Sequence, residues 1–170
     1  VNGCQVKTVD GEIMVKSPSG IAGYYKDEQA TAEALTPDGW LHTGDLGYVG
    51  DNNRLFLTGR KKNLIILSNG ENVSPAYIED KINSLDVIQD SLVTLETNEF
   101  GAEILQAEVI LRPAVLGPKG ITDVQGYIEE LISEVNKTLF DYEQIQKVVI
   151  RTEDFPRSPS MKIIRPRKAL

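Results

Sequence analysis

A single cysteine, Cys4, is all the thiol this chain holds. One thiol cannot close an intramolecular disulfide, and so low a content suits a reducing compartment. Cys4 sits in a strand-like run without a base beside it, which makes it structural rather than nucleophilic. No stretch of 18 apolar residues occurs, so no membrane-spanning helix is expected. Positive charge is also scarce. Against 25 Asp and Glu there are 18 Lys and Arg, a net charge of −7, whereas a general nucleic-acid binder needs a basic face. Internal repeats and low-complexity tracts are missing too. Val1 is preceded by no Met and followed by no charged-then-apolar leader, so an internal boundary of a longer parent is expected there. The 170 residues, 41% apolar with a mean hydropathy of −0.22, suffice for one soluble domain or a small domain plus part of another.

The charge that is present is uneven. Residues 151–170 carry Arg151, Arg157, Lys162, Arg165, Arg167 and Lys168 against Glu153 and Asp154, a net +4 that leaves −11 for the rest. Such a tail is either a solvated end or a segment that meets phosphates.

Two kinds of local pattern divide the chain. Residues 6–9 and 12–16 flank Asp10-Gly11, a two-residue hairpin signal. A polar stretch with a short helix around Thr31 follows, and residues 46–49 and 54–57 predict a second hairpin. Thr43-Gly44-Asp45 is expected as a tight turn. After Arg60 the pattern changes. Residues 64–67 predict a short buried strand, and Ser74-Pro75 opens a helix with Ile78, Ile82 and Leu85 on one face. Strands are expected over 87–96 and 104–111. Thr122 and Gln125 suggest a capping box for a helix with the stripe Val124, Ile128, Leu131, Ile132, Val135 and Leu139. A last strand over 147–151 leads into a loop from Glu153 onward. The expectation is an α+β fold: a β-rich fragment over residues 1–60, then a compact lobe of mixed sheet with flanking helices over 61–170.

Several residues have chemistry to offer. A carboxylate such as Asp45 accepts hydrogen bonds from both hydroxyls of a ribose, and Gly44 lets backbone approach. Arg60, next to Gly59, could hold ribose or phosphate oxygens. Gly70 could let a slender ligand pass, and Lys162 suits a developing negative charge. Taken singly each has an ordinary reading: a turn Asp, a surface Arg, a turn Gly, a solvated tail Lys.

Their order carries more. Gly11-Glu12-Ile13, Gly23-Tyr24-Tyr25, Gly39-Trp40-Leu41-His42-Thr43-Gly44-Asp45, Gly59-Arg60-Lys61-Lys62, the run from Ser68 to Pro75 with Ile78-Glu79, and Lys162-Ile163-Ile164-Arg165 follow one another along the chain. In this order they resemble the carboxyl-terminal third of AMP-forming acyl-CoA synthetases, members of the adenylate-forming superfamily. The spellings of the Ser68–Pro75 and Pro159–Arg165 runs are similar to the long-chain fatty-acid branch. The resemblance implies ATP binding by Asp45, Arg60 and Thr43, with Asp45 on the ribose hydroxyls. It implies a hinge at Lys62, a coenzyme A loop of Ser68, Asn69, Gly70 and Glu71, and a catalytic Lys162 that stabilises charge during adenylation. Many relatives carry Asp at the hinge and Gly before the catalytic Lys, where this chain has Lys62 and Met161; the second departure speaks against the peptide-synthetase branch. No metal ligand is assigned in this chain. The phosphate loop, the acidic Mg2+ ligand and the acyl pocket are expected in an amino-terminal domain that the chain does not include.

The implied parent is a cytoplasmic fatty acid–coenzyme A ligase using ATP and Mg2+, with no nucleic-acid partner and peripheral membrane contact left open. The chain alone is expected to be inactive. Two alternatives stand beside it: a domain activating an amino or aryl acid for a carrier protein, and a non-catalytic interaction module.

Overall fold

A computed structural model describes residues 3–166. Arg167 and Lys168 of the basic tail lie outside the described residues, as does Val1. The fold is α+β and divides into two compact units, Val1–Leu64 and Ile65–Leu170. The division follows Leu64, a little beyond the 60/61 boundary expected from composition.

The first unit is an antiparallel sheet in the order β1-β2-β3-β4, made of β1 (Gln5–Val9), β2 (Glu12–Lys16), β3 (Leu41–Val49) and β4 (Leu55–Arg60), with helix α1 (Glu28–Ala34) between β2 and β3. Asp10 and Gly11 both adopt positive φ and pair Val9 with Glu12 across the turn, as two-residue hairpins require. Asp27 caps α1 by accepting a hydrogen bond from the Ala30 N–H at 2.9 Å. The second hairpin is longer than its sequence suggests. β3 begins at Leu41, so Thr43, Gly44 and Asp45 lie inside a strand rather than on a turn. Met14 pairs with His42 and Glu12 with Leu46, which sets those three residues of β3 against Ile13 alone. Gly44, at φ +69°, absorbs this bulge without the Cβ penalty of other residues.

The second unit opens with β5 (Ile65–Ile66) paired to β6 (Asn72–Val73). The buried four-residue strand expected over 64–67 is therefore two residues long, with Ile65 buried and Ile66 exposed, because the chain turns at once into the 68–71 loop. Helix α2 (Pro75–Asn83) has Ser74 at its N-cap position and Pro75 in its first turn. Strands β7 (Ile88–Thr97) and β8 (Glu103–Leu111) form an antiparallel hairpin. Helices α3 (Pro113–Leu116) and α4 (Val124–Asn136) then lead to β9 (Ile145–Arg151), parallel to β8 in a sheet ordered β7-β8-β9. A parallel neighbour needs such a crossover. The cap of α4 is Asp123, one residue after the expected Thr122: its carboxylate accepts the Gly126 N–H at 3.0 Å. Leu85 and Leu139 lie just past the ends of their helices yet still pack on the core.

Ile78 and Ile82 of α2 and Ile128, Ile132 and Val135 of α4 meet Val93, Leu105, Ala107, Val109 and Ile145 of the sheet. α2 packs on β7, α4 on β9, and the helices touch each other. Alternation along β7 turns Leu92 to the opposite face from Val93. There the tail returns: Phe155 is buried, the Arg151 guanidinium stands 5.1 Å from its ring, and Arg157 reaches Asp90 at 2.6 Å. Residues 153–166, expected as loop, are irregular apart from the isolated Arg157–Ile163 bridge, and these contacts tie them to the sheet. No helix among the described residues is long and apolar enough to cross a membrane.

Candidate functional site

The β3–β4 register places Asp45 opposite Arg60. Arg60 Nε lies 2.7 Å from Asp45 Oδ1, with the two side chains 51% and 30% exposed. A pair this open contributes little to stability, but it fixes a carboxylate beside a guanidinium at the surface, ready to meet hydroxyl and phosphate oxygens. Thr43 is used differently. Its hydroxyl donates to the Ile13 carbonyl at 2.7 Å and accepts from the Asp45 N–H at 3.1 Å, so it braces the bulge that holds Asp45.

Beneath the bulge lies a carboxylate to which sequence reasoning gave no role. Glu12, 6% exposed, accepts hydrogen bonds from the Gly44 N–H at 3.1 Å and Lys61 Nζ at 3.0 Å, and His42 Nδ1 stands 3.2 Å away. Burial pushes its pKa up, yet Lys61, His42 and Gly44 together outweigh burial and hold it below the ordinary 4.5. Glu12 thus ties the Asp45 bulge to the segment just after Arg60. Its partners are 30 to 49 residues away. The local signal was limited to an acid on the same strand face as the buried Met14.

Lys62 is exposed, in a single turn of 3-10 helix over Lys61–Asn63 that immediately precedes the division between the units. Ser68, Asn69, Gly70 and Glu71 form one tight loop between β5 and β6. The Gly70 N–H donates to Leu67 O at 2.9 Å, the Leu67 N–H to Glu71 O at 3.0 Å, the Glu71 N–H to Asn69 Oδ1 at 3.0 Å, and the Ser68 N–H to a Glu103 carboxylate oxygen at 2.8 Å. Gly70 has φ +88°, and a Cβ there would meet no atom of this chain within 4 Å.

Lys162 sits on a turn built from the tail. Arg157 and Ile163 form an antiparallel bridge, the Ser158 N–H donates to Lys162 O at 2.8 Å, and the Lys162 N–H donates to Ser158 Oγ at 3.2 Å. The Lys162 side chain is exposed and its ammonium has no ion-pair partner among the described residues. Met161, in the place where many members of the resembled family have Gly, adopts φ +62°. The structure therefore joins Asp45 to Arg60 and gathers Ser68–Glu71 into one loop, while Lys162 stands by itself in the second unit. Among the described residues no group of three or more His, Cys, Asp or Glu side chains could hold a metal ion.

Residues 62–169 match the AMP-binding enzyme C-terminal domain. The chain belongs to this family. A 2-succinylbenzoate–CoA ligase of Bacillus cytotoxicus is 37% identical over 157 residues, covering 92% of this chain and 30% of its own length. A long-chain-fatty-acid–CoA ligase of Mycobacterium tuberculosis is 34% identical, covering 92% of this chain and 29% of its own. Among solved structures, an o-succinylbenzoate CoA synthetase of Bacillus subtilis in complex with its acyl-adenylate intermediate superposes with a TM-score of 0.74 at 27% identity, over 96% of this chain and 33% of that one. The chain thus spans about 30% of the length of the curated relatives it matches.

Proposed function

We propose that this chain is the carboxyl-terminal part of an AMP-forming acid–thiol ligase, with residues 1–60 closing the larger catalytic domain and 61–170 forming a mobile lid that pivots at Lys62. The observation that carries the reading is an exposed Lys162, without an ion-pair partner among the described residues, on a hydrogen-bonded turn in a chain of this family. In the first half-reaction the substrate carboxylate attacks the α-phosphorus of ATP, the α–β phosphoanhydride bond breaks, and pyrophosphate leaves. Asp45 and Arg60 bind the ribose, with Thr43 bracing them. Lys162 offsets the charge that develops between carboxylate and α-phosphate, a contribution of about 3 kcal/mol. In the second half-reaction the lid turns, the coenzyme A thiol passes the Ser68–Glu71 loop and attacks the acyl carbon, its proton is lost, and AMP departs. The Mg2+ ligand is assigned to the part of the protein amino-terminal to this chain.

The acid is read as a fatty acid, on the spelling of the Ser68–Pro75 and Pro159–Arg165 runs. A second reading, an aromatic acid, draws support from the 37% identity to a 2-succinylbenzoate–CoA ligase. Acyl-CoA formation by the full-length protein with a panel of long-chain and aromatic acids separates the two. Lys162→Ala is expected to slow acyl-AMP formation by ~100-fold or more while leaving thioester formation from supplied acyl-AMP nearly intact. Gly70→Leu is expected to do the reverse, since a side chain there would obstruct an incoming thiol; a Cβ at Gly70 meets no atom of this chain within 4 Å, and the cost of φ +88° to a non-glycine residue falls on stability, which is measured alongside. Equal losses in both steps for both variants would overturn the assignment.

A further inference from the structure

The turn that carries Lys162 is fastened at both arms by buried or half-buried carboxylates of the second unit. On the incoming arm, Arg157 Nη2 lies 2.6 Å from Asp90 Oδ2 of β7, and Arg157 Nη1 donates to the Met161 carbonyl at 3.2 Å. On the outgoing arm, Arg165 makes a two-pronged contact with Glu79 of α2, Nη1 to Oε1 at 2.8 Å and Nη2 to Oε2. Glu79 is only 8% exposed and its Oε1 also accepts the Val93 N–H of β7 at 2.7 Å. A planar guanidinium on a fixed carboxylate sets orientation as well as distance. Between the arms, the Ile164 N–H donates to Pro156 O at 2.8 Å and the Met161 N–H to Ser158 O at 2.8 Å. An ammonium on an unfastened tail would sample many positions; here its backbone is held at two points on rigid elements.

We propose that Glu79 and Asp90 are positioning residues for Lys162, acting through Arg165 and Arg157. Neither acid need touch a substrate. Each removes freedom from the turn, so the ammonium is in place before the charge it meets develops. The role rests on the reading of Lys162 given above, whereas the clamp itself does not.

Glu79→Gln tests both parts, since Gln keeps the volume and an acceptor for the Val93 N–H but loses the charge that holds Arg165. In the 170-residue chain, hydrogen exchange of the Lys162 and Ile164 amides is expected to speed up at least tenfold, with the β8 amides unchanged. In the full-length protein, acyl-AMP formation is expected to fall about tenfold, with KM for ATP and thioester formation from supplied acyl-AMP nearly constant. A merely structural role would move both half-reactions together. Asp90→Asn carries the same test from the other arm should Glu79→Gln unfold. Faster turn exchange with undiminished adenylation overturns the positioning role. Unchanged turn exchange overturns the clamp. Full adenylation by Lys162→Ala overturns the reading of Lys162, and the positioning role with it, while exchange still reports on the clamp separately.

Discussion

At the scale of single residues, Glu12 and Met161 have consequences that solution measurements reach. Glu12 is a buried acid whose carboxyl pKa lies below 4.5, burial being outweighed by Lys61, His42 and Gly44. A carboxyl with a lowered folded-state pKa adds stability that is present above its unfolded value and is lost as pH falls through the folded one. Glu12→Gln is therefore expected to lower the unfolding free energy of the first unit by about 1–3 kcal/mol at pH 7. The gap between variant and parent should close as the pH drops below 4.5; denaturation at pH 7, 5 and 3 measures it, and a gap that stays constant refutes the role of the charge. Met161 holds φ +62° with its side chain 69% exposed. The left-handed conformation costs a non-glycine residue about 1–2 kcal/mol, part of which Gly returns as entropy. Met161→Gly should stabilise the second unit by up to about 1 kcal/mol, and Met161→Val, branched at Cβ, should destabilise it by about 1–2 kcal/mol. Urea titration of the two variants decides. The residue that departs from the resembled pattern thus occupies a backbone geometry that suits the usual one.

At the scale of elements, β3 and β4 locate Asp45 and Arg60, and one glycine lets them pair. A Cβ on Gly47 would lie 2.1 Å from the Phe56 carbonyl oxygen and 2.8 Å from Ile13 Cδ1. Backbone cannot yield there without shifting the strand. Gly47→Ala is expected to cost about 1–3 kcal/mol and to raise amide exchange along both strands. Gly44→Ala meets no atom within 4 Å but must hold φ +69°, so its cost of about 1–2 kcal/mol is local backbone strain and β4 should stay protected; loss of protection along β4 in both variants would contradict this account. The elements also show why some features were legible in the sequence. Asp10-Gly11 and the apolar stripe of α4 are local patterns; the hairpin formed where expected, and α4 did so up to Asn136, leaving Leu139 just beyond its end. Asp123 displaced Thr122 as the cap because a neighbouring acid reached the same free N–H groups. The strand character of Thr43–Asp45 depends on pairing with Ile13, some 30 residues back, the Glu12 contacts span 30 to 49 residues and the Glu79–Arg165 pair spans 86. No local rule exposes contacts at that range. The candidate residues themselves were named through the order of the blocks, whereas the side chains that brace them came from tertiary packing.

At the scale of the whole molecule, the two units differ in how much apolar surface they bury. Ile13 and Met14 are the buried apolar side chains of the first unit among the described residues, and Tyr48, Val49, Leu55, Phe56 and Leu57 remain exposed there. The second unit holds a continuous core from Ile65 to Ile145. Burial is the main stabilising term, so the first unit should open first. In the 170-residue chain, hydrogen exchange and a denaturant titration are expected to resolve an early transition of β1–β4 and a later one of β7–β9; one coincident transition would refute the difference. The Glu79–Arg165 pair has a further consequence, for the order in which the chain is made. Its members are 86 residues apart, and Asp90 and Arg157 are 67 apart. Closing loops of that length is entropically unfavourable until the intervening elements are packed. A ribosome releasing this chain will have synthesised both carboxylates long before either arginine. The turn bearing Lys162 therefore closes late, on a lobe whose other elements are already made, and a chain interrupted between Lys162 and Arg165 would carry the lysine with only the Arg157 arm to hold it.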